Sequence, residues 1–418
     1  MEQRGRDRLI RALLKFSRRA RFGTDIRRAA ERFWGPGLAA ETLDDALAGM
    51  SPEWAATMFL DWLLCDFRLA DGQTIVDHFV EQQRATLDAF ERSYLQQLSR
   101  SCISLYEIED VRPEQGFTMR DLFRGGTVPV RERLATRSLV RWDIVATRLI
   151  DSGGEKVINA SVIPFRVQDR EPLLRRLRYR YTRYRKDHPG APPEAFLKDS
   201  AEFFNHYVQE VLALPPPQLI TAEGDPVHVC RAYYQIEDRP AVLAALRQVP
   251  ELEEMDPGSY AWLETGDPRG PRSLGKVEVG ERELELWCMS KERLVRGKAL
   301  LERHAGSHLI HRVDAIQDPW VAAALAGPQE EPSAIPPDVE AAAYQAYLDD
   351  HYRRWIDQPV PFLSGLTPRQ AVATPGGRKR VAALLRGIEN REARHRLERG
   401  FGYDAAWMWR ELGLDPLV

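Results

Sequence analysis

Cysteine is scarce: four residues in 418, Cys65, Cys102, Cys230 and Cys288, far apart and forming no C-x-x-C pair. That excludes a disulfide framework and the closely spaced thiolates of a zinc ribbon. Each lies among apolar residues, as small buried hydrophobes do, so free thiols in a reducing cytoplasm are expected. Long hydrophobic runs are missing as well. No stretch approaches the roughly 20 apolar residues that span a bilayer, and Met58–Phe67 is interrupted by Asp61 and Asp66. No apolar h-region opens the chain, so secretion is not indicated and the expected location is cytoplasmic. The signatures of nucleotide and acyl chemistry are absent too. No G-x-G-x-x-G opens a helix, no G-K-S/T follows a glycine loop, and there is no G-x-S-x-G elbow or Cys/His nucleophile pair. Neither catalysis nor a cofactor is expected.

A net charge of −3 removes any global attraction to polyanions. The charge is nevertheless segregated. The first 32 residues and Arg166–Lys186 are strongly basic, whereas the segments around 251–256 and 329–340 are acidic, so local basic faces remain. Ordinary apolar content argues for folded domains, and the length for about two to four of them.

Residues 1–100 read as an all-helical unit. A basic amphipathic helix over 1–32 carries Leu9, Ile10, Leu13, Leu14 and Phe16 on one side and is broken at Trp34–Gly37. Thr42 starts a short helix, and Ser51-Pro52-Glu53 starts another with Trp54, Met58, Leu60, Leu63 and Leu64 on its buried face. Over 101–165 the period changes to two. Strands around Tyr106–Ile108, Phe117–Met119, Val128–Val130, Trp142–Ile150 and Val157–Phe165, turned at Gly125-Gly126 and Gly153-Gly154, predict a small β-barrel, SH3-like or OB-like. A sheet that small cannot bury a core alone, so it is expected to pack on the N-terminal helices. A helical connector follows over 166–214, and Pro215-Pro216-Pro217 makes a stiff linker. An α+β unit over 218–326 includes a hairpin (Val277 and Val279 against Leu284, Leu286 and Cys288) and a helix capped by Ser290 and ended at Gly306. A Pro-, Glu- and Ala-rich linker over 327–337 leads to a helical C-terminal domain over 338–418. The fold class is multidomain α+β.

That last domain is organised around a corner. Val339, Ala342, Ala343, Ala346, Tyr347 and Trp355 mark a helix that Pro359 and Pro361 end. Gly365 supplies a turn. Thr367 then caps a new helix, with Pro368 at its first position and Gln370 completing a capping box. Thr374 and Pro375 repeat that start, and Val381, Leu384, Leu385 and Ile388 form the next apolar stripe. The pattern W-x3-P-x-P-x-L-x-G-x-T-P-x-x-A resembles the toxin-binding domain of the MbcA/ParS/Xre antitoxins over about residues 338–391. The resemblance implies a compact helical domain that contacts a toxin-like or regulatory protein. It makes Trp355, Pro359, Leu363, Gly365, Thr367, Pro368 and Ala371 structural or interface positions, and Pro361 of the same corner is a further partner-binding candidate. The helix-turn-helix of that family has no counterpart here, so operator binding does not carry over. The whole chain also looks like a group of bacterial proteins that often carry a SEC-C zinc motif, whose clustered cysteines are missing. Trp407 and Trp409 cannot share a helical face, so at least one is expected at a binding surface or covered by another domain. Trp407 therefore joins the partner-binding candidates, and self-association is a further use of such a surface.

A second candidate surface is the run Arg175, Arg176, Arg178, Arg180, Arg183, Arg185 and Lys186, interleaved with Tyr179, Tyr181 and Tyr184. Arginine among tyrosines suits phosphate contact and base stacking. The plain reading is a solvated helix whose arginine stems shield a stripe of Leu173, Leu177, Tyr181 and Tyr184. His304, His308 and His311 have metal-ligand spacing, but Gly306 falls between them and no metal site is expected. Asp61, Asp66 and Asp143 lack a histidine or lysine at useful spacing and read as surface acids. The leading expectation is a non-enzymatic protein-interaction module that binds its partner through the C-terminal domain. The alternative is an RNA- or DNA-binding protein that uses the barrel and the Arg/Tyr helix over 173–186.

Overall fold

The alternation after residue 100 folds into six strands: β1 (Ile103–Arg112), β2 (Gly116–Asp121), β3 (Thr127–Arg131), β4 (Ile144–Ser152), β5 (Glu155–Ile158) and β6 (Ile163–Phe165). The computed structural model describes residues 2–35, 52–159, 162–212, 218–264, 272–326 and 336–416. The start at Thr42, the cap at Ser51, the Pro215–Pro217 linker and most of the 327–337 linker lie outside the described residues. The strands pair in the order β1-β2-β3-β5-β4-β6, and β1 also pairs with β4, which closes five of them into a barrel. Every pairing is antiparallel except β3 with β5, where Val130 lies beside Lys156. This is the connectivity of an OB-type Greek-key barrel. Gly125, Gly126, Gly153 and Gly154 all turn with positive φ, a region that a β-carbon opposes.

β1 serves both walls. Ile103–Glu107 pairs with β4 and Tyr106–Arg112 with β2, and a bulge between Ile108 and Asp110 bends the strand between them. Tyr106, Ile108, Phe117, Met119, Val130 and Val145 fill the barrel. The alternate residues Ile103, Leu105, Ile144 and Ala146 belong instead to the helical core. That core is built from α1 (Glu2–Ser17), α2 (Gly23–Trp34), α3 (Pro52–Cys65), α4 (Ile75–Gln83) and α5 (Ala89–Arg100), with α6 (Arg170–Asp187), α7 (Pro193–Asp199) and α8 (Glu202–Leu212) after the barrel. Two expected strands differ in detail. Trp142 has φ 70°, which no strand allows, so β4 starts only at Ile144; the stretch 157–165 is divided between β5 and β6.

Asp61 and Asp66 are not the surface acids that local spacing suggests. Arg148 on β4 is fully buried and donates to Asp66, Asp61 and the Ser101 carbonyl. Lys198 of α7 adds bonds to Asp66 (3.3 Å), the Cys65 carbonyl (2.7 Å) and the Ser101 carbonyl (3.0 Å). The cation that balances these acids lies more than eighty residues away in the chain, so no local pattern announces it. The cluster ties α3, the end of α5, the barrel and α7 together. Removing one member strands the others without water. Arg148→Met is therefore expected to cost about 3–5 kcal/mol in denaturant unfolding. A loss below about 1 kcal/mol would show that the cluster does not depend on Arg148.

The described residues of the chain gather into two compact units, 1–214 with 334–418, and 215–333. The second unit is one antiparallel sheet, order β12-β7-β11-β10-β9-β8. Its strands are β7 (Val229–Ile236), β8 (Leu252–Asp256), β9 (Ser259–Glu264), β10 (Arg272–Val279), β11 (Glu283–Cys288) and β12 (Leu309–Gln317). Helices α9 (Arg239–Leu246) and α10 (Lys291–Ala305) share its core, and α11 (Pro319–Ala326) follows β12. The hairpin pairs Val277 with Leu286, and the Ser290 hydroxyl accepts from the Arg293 amide to start α10, as the sequence predicts. All four cysteines are buried and free.

The last helices join the first unit: α12 (Pro337–Trp355), the four-residue α13 (Pro368–Ala371), α14 (Pro375–Arg399) and α15 (Ala406–Glu411). Both predicted caps form. Thr367 and Gln370 make a full capping box, and the Thr374 hydroxyl accepts from the Gly377 amide.

Candidate functional site

Trp142 fixes where the C-terminal helices lie. It is fully buried, in the left-handed region, and its indole Nε1 donates to Glu389 of α14 at 2.5 Å. Its ring meets Trp409 of α15 with centroids 6.3 Å apart, and the guanidiniums of Arg141 and Arg386 lie over it at 4.5 and 5.2 Å. Asp143, read from sequence as a surface acid, is buried: it accepts from the Val140 amide and from Asn390 and Arg394 of α14. Asn390 also donates to the Arg141 carbonyl at 2.9 Å. A strained backbone persists only when its surroundings over-determine it, and here a whole helix does so.

Docked in this way, α14 leaves an open cleft of about 1430 Å³ against β2, the β2–β3 turn, the segment 164–172 and α6. Eight lysines and arginines line it against three acids. Part of that charge is neutralised internally: Arg120 pairs with Glu109, Arg166 with Asp169, Arg170 with Glu107, and Arg394 with Asp143. Arg178 and Lys379, both exposed, have no carboxylate partner among the described residues. Burial holds the Arg386 guanidinium below its ordinary value; Glu107 opposes this, while Arg170 and Arg120 add to it by repulsion. An anion in the cleft relieves that repulsion, so the arrangement is suited to negative ligands.

The partner-binding candidates fall into two groups. Leu363 and Pro368 are buried, and Thr367 is spent on its cap. Trp355 packs half-buried on the C-terminal core, and Trp407 donates to the Tyr403 hydroxyl with Arg353 over its ring. Pro359, Pro361 and Gly365 are exposed, and with them Phe362 (58 %) and Leu366 (42 %), which the sequence reading passed over. Trp409 is the tryptophan that another part of the molecule covers. Among the basic-helix candidates, Arg176 pairs with Glu210 and lies over Tyr207, Arg180 lies over Phe203, and Arg185 over Tyr181. Tyr184 is not free to stack: its ring lies on His188 at 4.1 Å and its hydroxyl donates to Asp199. Burial, with Asp199 beside it, pushes that hydroxyl up to about 12. Arg175, Arg178 and Arg183 remain solvent-facing on α6.

Sequence reading missed most of the cleft: Arg120, Arg166, Arg170, Lys379, Arg386, Arg391 and Arg394. A signal was available in α14, where Lys379, Arg386, Asn390 and Arg394 fall on one helical face, interrupted only by the small Ala383. His304, His308 and His311 end up in three different elements, and His311 pairs with Asp314 and Lys298. Among the described residues no group of three or more His, Cys, Asp or Glu is placed to hold a metal, and no helix is long and apolar enough to cross a membrane.

Residues 42–196 match the model of a family of unknown function, DUF7986. The match takes in the barrel and its flanking helices, less than half of the chain, and stops well before α14. No curated protein and no solved structure matches.

The docking of α14 depends on Trp142. Trp142→Ala opens a cavity and takes from Glu389 one of its two indole donors, leaving that of Trp409, an expected cost of about 3–5 kcal/mol. In hydrogen exchange, α14 and α15 should lose protection while β1 and β2 keep theirs. Equal loss in all four would mean that the barrel itself depends on this side chain.

Proposed function

We propose that the protein is a non-enzymatic nucleic-acid-binding protein, and that the cleft between the barrel and α14 is its binding surface. One observation supports this above all: the concentration of lysine and arginine around a single concave surface, on a chain whose net charge is −3. Phosphate contact supplies most of the affinity in such interfaces, and it needs clustered cations rather than a basic protein overall. The barrel contributes the end of β2, the β2–β3 turn and Thr127 at the start of β3 to this surface. OB-type barrels bind oligonucleotides on the strand 2–3 face with the β1–β2 and β4–β5 turns, and those two turns lie outside the cleft. Fold alone does not assign a function; the charge at the site is what favours this one. The exposed arginines of α6 extend the positive surface away from the cleft.

A second reading draws on a different observation. Pro359, Pro361, Phe362 and Leu366 form an exposed apolar corner, a surface suited to the toxin-like or regulatory partner that the antitoxin resemblance implies. Salt separates the two, because apolar docking does not weaken as salt rises.

The test is fluorescence anisotropy with labelled oligonucleotides between about 50 and 200 mM salt. The expected slope of log K against log salt is about −2 or steeper, from three phosphate contacts at about 0.7 each. The double variant Arg178→Glu, Lys379→Glu should weaken binding and flatten the slope by about 1 or more, with unchanged stability. Absence of binding at the lowest salt, or affinity indifferent to that variant, would overturn the proposal.

A further inference from the structure

Phe362 is the least economical residue on this surface, since a phenylalanine 58 % exposed loses the stabilisation that burial gives. Its position is also unusually well fixed. It lies in a 3-10 turn between Pro361 and Leu363, whose side chain is fully buried in the C-terminal core. The Val360 amide bonds to the Leu366 carbonyl at 3.0 Å, the Gly365 amide to the Val360 carbonyl at 3.1 Å, and Arg380 of α14 reaches Ser364. A rigid corner thus holds an aromatic ring out of the core, and that ring lines the cationic cleft. Phe165 lines the same cleft from the barrel side, half-buried against Phe204 and Tyr207.

From this juxtaposition we infer that the ligand is a single strand, with an unpaired base stacked on Phe362 while its phosphates meet Arg178 and Lys379. The inference rests on the nucleic-acid reading above. Cations tracking a backbone beside an aromatic platform are the two components of single-strand recognition, because every base has a face to stack and no groove is required. In a duplex the bases are already stacked on one another and offer no face to Phe362. The cleft volume exceeds the roughly 300–1,000 Å³ usual for small-molecule sites, which favours a chain segment over a single small anion. The fixed corner means that little order is lost when the base stacks.

The experiment compares oligo(dT), oligo(U) and a duplex of the same length on the full chain, with Phe362→Ala and Phe362→Trp beside the unaltered protein. The expected result is preference for single strands, a loss of about five-fold or more in Phe362→Ala, retention in Phe362→Trp, and an unchanged salt slope in both. Circular dichroism and melting should be unaffected, since the side chain is mostly outside the core. Duplex bound as tightly as single strands, or Phe362→Ala binding like the unaltered protein, overturns this inference while leaving the cleft a nucleic-acid site. Failure of every oligonucleotide to bind overturns both.

Discussion

The insertion of Trp142 between α14 and α15 is the contact on which the cleft depends. A barrel of five short strands has little interior to bury, and its six-residue core is accordingly small. It gains stability by lending the outer faces of β1 and β4 to the N-terminal helices, and it holds the C-terminal helices through one strained tryptophan and the Asp143 carboxylate beside it. The strain of a left-handed tryptophan, of order 1–3 kcal/mol, is small against what a buried indole of that size contributes. One wall of the cleft therefore comes from residues near 120–127 and the other from residues near 379–394, and neither wall exists as a cleft without the other.

Electrostatics in this molecule divides into two regimes. Inside the first unit, Arg148 and Lys198 meet Asp61 and Asp66 in a closed cluster that does nothing for a ligand. At the cleft the bookkeeping is left open. Arg120, Arg166, Arg170 and Arg394 have carboxylates of their own, whereas Arg178 and Lys379 do not, and Arg386 is pressed against two tryptophans with other arginines near it. The first four, and Arg391 with Glu392, shape the surface, and Arg178 and Lys379 add unpaired positive charge to it. This division explains how a chain with a slight excess of acid can carry a concentrated positive patch.

Much of the fold was legible because its signals are local. Paired glycines located the hairpins, the switch of period located the barrel, and the threonine–proline pairs located two helix starts to the residue. What could not be read was contact across long sequence separation. Asp66 looks like an ordinary helix acid until Arg148 is beside it, and Trp142 looks like a strand residue until α14 occupies the position that turns its backbone. The basic helix stands out by its composition, yet two of its three tyrosines are engaged internally, Tyr181 donating to the Ala191 carbonyl and Tyr184 to Asp199, while Tyr179 is exposed. Arg178 is the one residue of that run that lines the cleft. The proline corner was recognised as a rigid feature, but the residue it displays, Phe362, carries no pattern of its own.

Ultraviolet cross-linking of a bound oligonucleotide, with the attached peptides mapped by mass spectrometry, tests most directly whether the barrel and α14 act as two walls of one site. The account predicts cross-links within 120–127 and 165–178 on one side and within 362–394 on the other, from the same bound strand. Cross-links confined to the second unit or to α1, with none on α14 or the proline corner, would contradict it.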